Sequence, residues 1–94
     1  MVDSSMTNIS AVESYGKNLR NISQQMVQIF TQMKQQTDSV GQYWNDKQYQ
    51  QFRQDFSTDI MKDIQEISAR MNCFCAYIDE MCKIHRMAQN QKYY

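Results

Sequence analysis

The sequence predicts an all-α fold, an antiparallel two-helix hairpin expected to dimerise into a four-helix bundle. Three observations carry that expectation. The 94 residues contain no proline and only Gly16 and Gly41, so the chain lacks the punctuation that many short elements require. Apolar residues recur at helical spacing along two long stretches. Between the stretches lies a short segment of residues suited to ending one helix and starting another.

From Ile9 to Val40 the apolar residues repeat in heptads, with Val12, Leu19, Met26, Met33 and Val40 in one register and Ile9 and Phe30 in its partner. Ile22, Val27 and Ile29 widen the stripe. The first helix is therefore expected over about residues 5–40, with Asp3, Ser4 or Ser5 as its cap. Gly41 follows the last apolar position, where a left-handed C-cap favours glycine, and Asn45 or Asp46 can cap the next helix. The turn is expected at residues 41–46. Phe52, Phe56, Ile60, Ile64, Ile67, Met71, Phe74, Ile78 and Met81 then follow at spacings of three or four, which only a helix places on one face. The second helix is expected over about 47–88, before a short C-terminal tail. Residues 73–78 form a short apolar run that could read as a strand, but they stay in phase with the heptads on both sides. Lys62 with Glu66 and Asp79 with Lys83 are four-residue neighbours that support the helix.

Folding the helices back at the turn is expected to set Met33 near Phe52, Met26 near Ile60, Leu19 near Ile67 and Val12 near Phe74. The longer second helix is then expected to project beyond about Met81, carrying Cys82 and His85. Two antiparallel helices with such broad apolar stripes cannot enclose a core, and stable bundles generally need a third or fourth helix. The expected partner is a second copy, making a homodimer, or a related hairpin, making a heterodimer.

Composition narrows the function. The length fits a single domain spanning residues 1–94. Ten basic residues balance ten acidic ones, so no net field draws the chain to phosphate backbones or anionic lipid, and neither nucleic acid nor stable membrane insertion is expected. No apolar run approaches the roughly 20 residues that span a bilayer. The polar start does not resemble a cleaved secretory signal. Cys73, Cys75 and Cys82 are an odd set whose helical separation disfavours an internal disulfide, in keeping with reduced thiols and synthesis in the cytoplasm.

The residues at the turn, Tyr43-Trp44-Asn45-Asp46, followed by Phe52 and Phe56, resemble the Trp-x-Gly (ESAT-like) family of roughly hundred-residue helical hairpins handled by type VII secretion systems. The resemblance covers nearly the whole chain. It implies a dimeric, secreted protein without a cleaved signal, which offers its turn and its C-terminal arm to the secretion machinery. The turn motif is then Trp44, Asp46, Phe52 and Phe56, and the partner-contact arm carries Tyr77, Met81 and His85. Two features depart from the family. Asp46 stands where the family has glycine, although it can cap the second helix directly. The family's export signal, a tyrosine followed four residues later by an acidic residue, is missing, because Tyr77 is followed by Met81 while Asp79 and Glu80 fall out of register.

Several single residues carry chemistry of their own. Trp44 serves either as a docking residue or as a plug for the end of the hairpin core, and the plug is the simpler role. Cys75, Asp79, Cys82 and His85 or Arg86 fall along one side of the second helix and include zinc-ligand types, but structural zinc sites usually close four ligands, often on turns. No metal and no cofactor is expected. Met26, Met33, Met71 and Met81 read as core. The glutamines of the first helix read as a solvated neutral face that could be buried at lower desolvation cost than charges. With one histidine, no glycine-rich phosphate loop and outward-facing Asp59 and Asp63, the chain is not expected to be an enzyme. The functional expectation is a secretion-associated protein that works through dimerisation and protein contacts. The alternatives are a cytosolic coiled-coil adaptor or chaperone subunit and a thiol-based switch at Cys75 and Cys82.

Overall fold

A computed structural model of the chain describes residues 6–91 and shows an all-helical hairpin, with no strand among the described residues. Helix α1 spans Ile9–Val40. The second arm comprises α2 (Lys47–Asp55), a π-helical turn (Phe56–Ile60) and α3 (Met61–Gln91). The molecule is a rod of 71 × 18 × 14 Å, with a radius of gyration of 20.6 Å where a compact chain of this length would have about 12 Å.

Helix α1 starts later than the sequence predicts. Asn8, in an extended conformation, accepts a hydrogen bond from the Ala11 amide at 3.0 Å and so satisfies one of the free amides of the first turn. Asp3, Ser4 and Ser5 lie outside the described residues. At the other end Gly41 is right-handed, with φ −57° and ψ −19°, so the expected left-handed cap is not formed. Its glycine identity has a different cause. A Cβ at Gly41 would lie 3.1 Å from the Tyr49 hydroxyl and 3.2 Å from the Asp38 carbonyl oxygen. Asp46, the residue before α2, accepts from the Tyr49 amide at 2.8 Å and caps that helix.

Burial shows which heptad forms the seam. In α1 it is the line Ile9, Gly16, Ser23, Phe30 and Thr37, all buried or half-buried, rather than the Val12 to Val40 register, whose last two members Met33 and Val40 are exposed. In the second arm Tyr49 and Phe56 are buried seven residues apart, and Ile64 follows after eight. Met71, Ile78 and His85 then continue at sevens, with Ser68, Cys75 and Cys82 beside them. The π-helical turn, in which the Met61 amide bonds the Phe56 carbonyl five residues back, absorbs the additional residue. Without it, Ile64 and all that follows would be rotated about 100° off the seam.

Contacts across the seam fix the register of the two arms. Ser23 and Ser68 meet at 3.4 Å between hydroxyls, and the Cys75 thiol points at the Gly16 carbonyl at 3.8 Å. A Cβ on Gly16 would lie 3.0 Å from Ile78 Cγ2, so the arms approach closely there. Leu19 and Val12 pack against the cluster of Ile9, Ile78 and Cys82, and Ile67 and Phe74 are 44% and 46% exposed. The expected projection beyond Met81 is also corrected. Cys82 packs with Ile9, His85 is only 7% exposed, and Arg86 reaches Glu13 at 3.0 Å and Ser10 at 3.1 Å, so this segment lies along the start of α1.

Candidate partner-binding surface

Two surfaces bring the sequence-predicted residues together. At the turn, the plug that closes the hairpin is Tyr49, which is 3% exposed. Its ring stacks on Trp44 at a centroid separation of 5.4 Å, and its hydroxyl donates to the Thr37 carbonyl, one of the last four carbonyls of α1. Trp44 is 51% exposed, and its indole N–H donates to Asp46 Oδ2 at 2.7 Å. Asp46 therefore receives hydrogen bonds from the Tyr49 amide and the Trp44 indole, and these hold its carboxyl below the ordinary aspartate range.

Phe56 is buried between Phe30 and Phe52, with ring centroids 6.5 and 5.9 Å away. Phe52 itself is half exposed, and Tyr43 stands almost fully in solvent. Asp38 ties the two arms together below the turn, accepting from Lys34 of α1 and from Arg53 of α2, each at 3.0 Å. The tip thus presents Tyr43, Trp44 and Phe52 outward on a base held by Tyr49, Asp46 and Asp38. Tyr49 was not among the residues singled out from the sequence. A signal for it existed, because it lies three residues after the capping Asp46 and seven before Phe56.

The second surface follows from which flank carries the ion pairs. Glu13 and Arg20 lie four residues after Ile9 and Gly16, and so flank the seam on one side. Across it, Arg20 meets Asp79 at 3.0 Å and Glu13 meets Arg86. The bonded Arg86 guanidinium holds the Glu13 carboxyl low. On the opposite flank of α1 lie Leu19, Met26 and Met33, then Tyr15, Ile22 and Ile29, each one residue before a seam position. In α3 the corresponding flank holds Ile67, Phe74, Met81 and Tyr77, with the exposed Asp63 and Arg70 at its outer edge. One broad face of the hairpin is therefore charged and paired. The other carries no ion pair across the seam and is mainly apolar and open, with Ile22 56%, Ile29 54% and Tyr77 59% exposed.

The expected contact arm is divided by this geometry. Tyr77 stands on the open face, stacked on Phe74 with centroids 6.2 Å apart, Met81 is half-buried, and His85 faces the seam. Cys75 and Cys82 are buried in the seam, and burial pushes the Cys82 thiol upward, which disfavours the nucleophilic thiolate. Asp79 turns instead to Arg20 on the charged face. Among the described residues no three His, Cys, Asp or Glu side chains are grouped closely enough to hold a metal ion, and no helix is long and apolar enough to cross a membrane.

The elongated hairpin has an unusually large surface for its mass. The chain exposes 7496 Å², whereas a globular protein of 11.2 kDa exposes about 5,700 Å². The excess, roughly 1,800 Å², is in the range one subunit buries in a large obligate interface. No protein-family model, curated protein or solved structure matches the chain.

Proposed function

We propose that this chain is a non-enzymatic helical hairpin that acts by pairing its open apolar face with another helical chain, in the manner of the type VII secretion substrates it resembles. The observation that carries the reading is the continuous exposed stripe Tyr15, Ile22, Ile29, Ile67, Phe74 and Tyr77 on one side of a rod whose other side is occupied by ion pairs. Contiguous apolar surface of this kind marks a protein contact site. Pairing with a second copy or a related hairpin supplies the third and fourth helices that enclose a bundle core.

In this reading the aromatic tip around Trp44 and the Tyr77 region of α3 are the surfaces offered to secretion machinery. On the same reading the protein is made in the cytoplasm and exported through that machinery. The test is its distribution between culture medium and cell lysate in the native host, with a lysis marker and a secretion-ATPase deletion. Release that disappears in the deletion supports export. Retention in both strains, with stable binding to one non-secretory partner, would replace this reading with an intracellular adaptor. That second reading is favoured by Tyr77 being followed four residues later by Met81 where the family signal has an acidic residue.

A further inference from the structure

Along one line of the second arm the small residues are buried and their larger neighbours are not. Ser68, Cys75 and Cys82 line the seam against Ser23, Gly16 and Ile9, while the residue immediately before each, Ile67, Phe74 and Met81, stands on the open flank. A single residue of helical offset decides which of the two lines faces α1. That offset is stored in the π-helical turn Phe56–Ile60. Because a π turn and an α turn use the same residues with different hydrogen-bond partners, one converts into the other without interrupting the helix. Conversion to α would screw α3 along α1 by one residue, about 1.5 Å and 100°. Ile67, Phe74 and Met81 would then take the places of Ser68, Cys75 and Cys82. The gains of Phe for Cys and Ile for Ser fall opposite Gly16 and Ser23, the smallest residues of the α1 seam. Against conversion, Asp63 and Arg70 would take the places of Ile64 and Met71, and Asp79 and Arg86 would leave Arg20 and Glu13. These costs make the π form the resting state and the α form a minor one.

We infer that the π turn is a two-position register switch. In the π form α3 displays Ile67 and Phe74 on the open face. In the α form it turns them against its own α1 and withdraws its half of that face. A partner on the open face touches the side chains that the rotation removes, so it binds the π form and draws the population toward it. The rotation belongs to a single hairpin, and only its use in displaying the face rests on the pairing reading above.

Cys75 and Cys82 report the rotation, because both are buried in the π form and would occupy the places of the exposed Ala76 and Lys83 in the α form. The full chain carrying Cys73→Ser and Ile22→Glu is diluted until its mass in solution is that of one chain. It is then treated with a maleimide under native conditions, and labelling of the two thiols is followed by mass spectrometry. The same measurement is made after adding Phe74→Ser, which removes the ring that the α form buries, and after deleting Thr58, which leaves a regular helix in the present register. Either change should slow labelling about tenfold or more, at unchanged helical circular dichroism. Equal or faster labelling of the Phe74→Ser chain would overturn the switch, because thiols reached by fraying or local unfolding gain nothing from that ring. If the deletion does not fold, the Phe74→Ser comparison decides alone, since Phe74 is half exposed in the resting form. Pairing is judged separately, from the mass of the chain that keeps Ile22.

Discussion

At the residue scale the turn is held by a tyrosine rather than by the tryptophan that dominates the sequence. Tyr49 is buried, stacks on Trp44 and satisfies the Thr37 carbonyl at the end of α1. Tyr49→Ala should therefore destabilise the hairpin by about 3–5 kcal/mol, and Tyr49→Phe by about 1 kcal/mol through the lost hydrogen bond. The half-exposed Trp44 should yield less than Tyr49 on truncation to alanine, and chemical denaturation of the three variants would order them. Gly41→Ala should also destabilise, because its Cβ would press on a Tyr49 hydroxyl already committed to Thr37 and on the Asp38 backbone. The sequence allowed a C-cap glycine to be recognised but not its reason, since the close neighbour Tyr49 is eight residues away. The capping role of Asp46 was legible, as one of two candidates, because it needs only local spacing.

The carboxylates near the turn also set a pH dependence. Asp46 and Asp38 are each held below the ordinary aspartate range by their hydrogen-bond donors, and Glu13 is likewise lowered by Arg86. A carboxyl whose folded pKa is depressed stabilises the fold above its unfolded value, near pH 4, and that contribution is lost as pH falls through the folded value. Thermal stability should consequently decline below about pH 4 and be flat between pH 5 and 7 from these groups. Asp46→Asn keeps a side-chain acceptor for the Tyr49 amide and removes the titration. A melting-temperature profile that is equally steep in acid for Asp46→Asn and the parent would contradict a role for this carboxylate.

At the scale of elements, the π-helical turn explains both what the periodicity revealed and what it concealed. The heptads identified two helices and the break between them, because each stretch is internally in phase. They did not give the pairing of the arms, since the seam steps by eight between Phe56 and Ile64 and a reading at threes and fours passes over that step. Leu19 packs on the cluster of Ile9, Ile78 and Cys82, a neighbourhood that folding back about the turn does not give. His85 reads as part of a projecting arm because the second helix is expected to be the longer one, and its burial shows that the two arms overlap there.

The small residues Gly16 and Ser23 conceal the seam further, because hydrophobicity does not mark them although they permit the closest approach of the arms. A deletion tests the π turn directly. Removing the exposed Thr58 should leave a regular α-helix with Phe56 and Ile64 seven apart and preserve a cooperative melt within several degrees of the parent. Removing the exposed Ala69 from regular α3 should rotate the following Cys75, Ile78 and Cys82 off the seam and abolish the transition. Equal effects of the two deletions would contradict a register-keeping role for the turn.

At the scale of the whole molecule, the rod has one face of ion pairs and one face of exposed aliphatic and aromatic side chains, and it exposes far more surface than its mass predicts. The need for further helices was legible from the width of the apolar stripes. The sidedness was not, because it depends on Arg20 reaching Asp79 and Arg86 reaching Glu13 across 59 and 73 residues of chain. Phe74→Glu and Ile22→Glu, both at half-exposed positions of the open face, should leave helicity unchanged and shift the chain toward monomer.

Pairing through the open face is read from the solution mass of the full chain by sedimentation equilibrium at micromolar concentration, in the parent and in the Ile22→Glu Phe74→Glu double variant. The parent should show twice the 11.2 kDa chain mass and the variant the single-chain mass. A parent that sediments as a stable, fully helical monomer and binds no second helical chain would contradict that pairing.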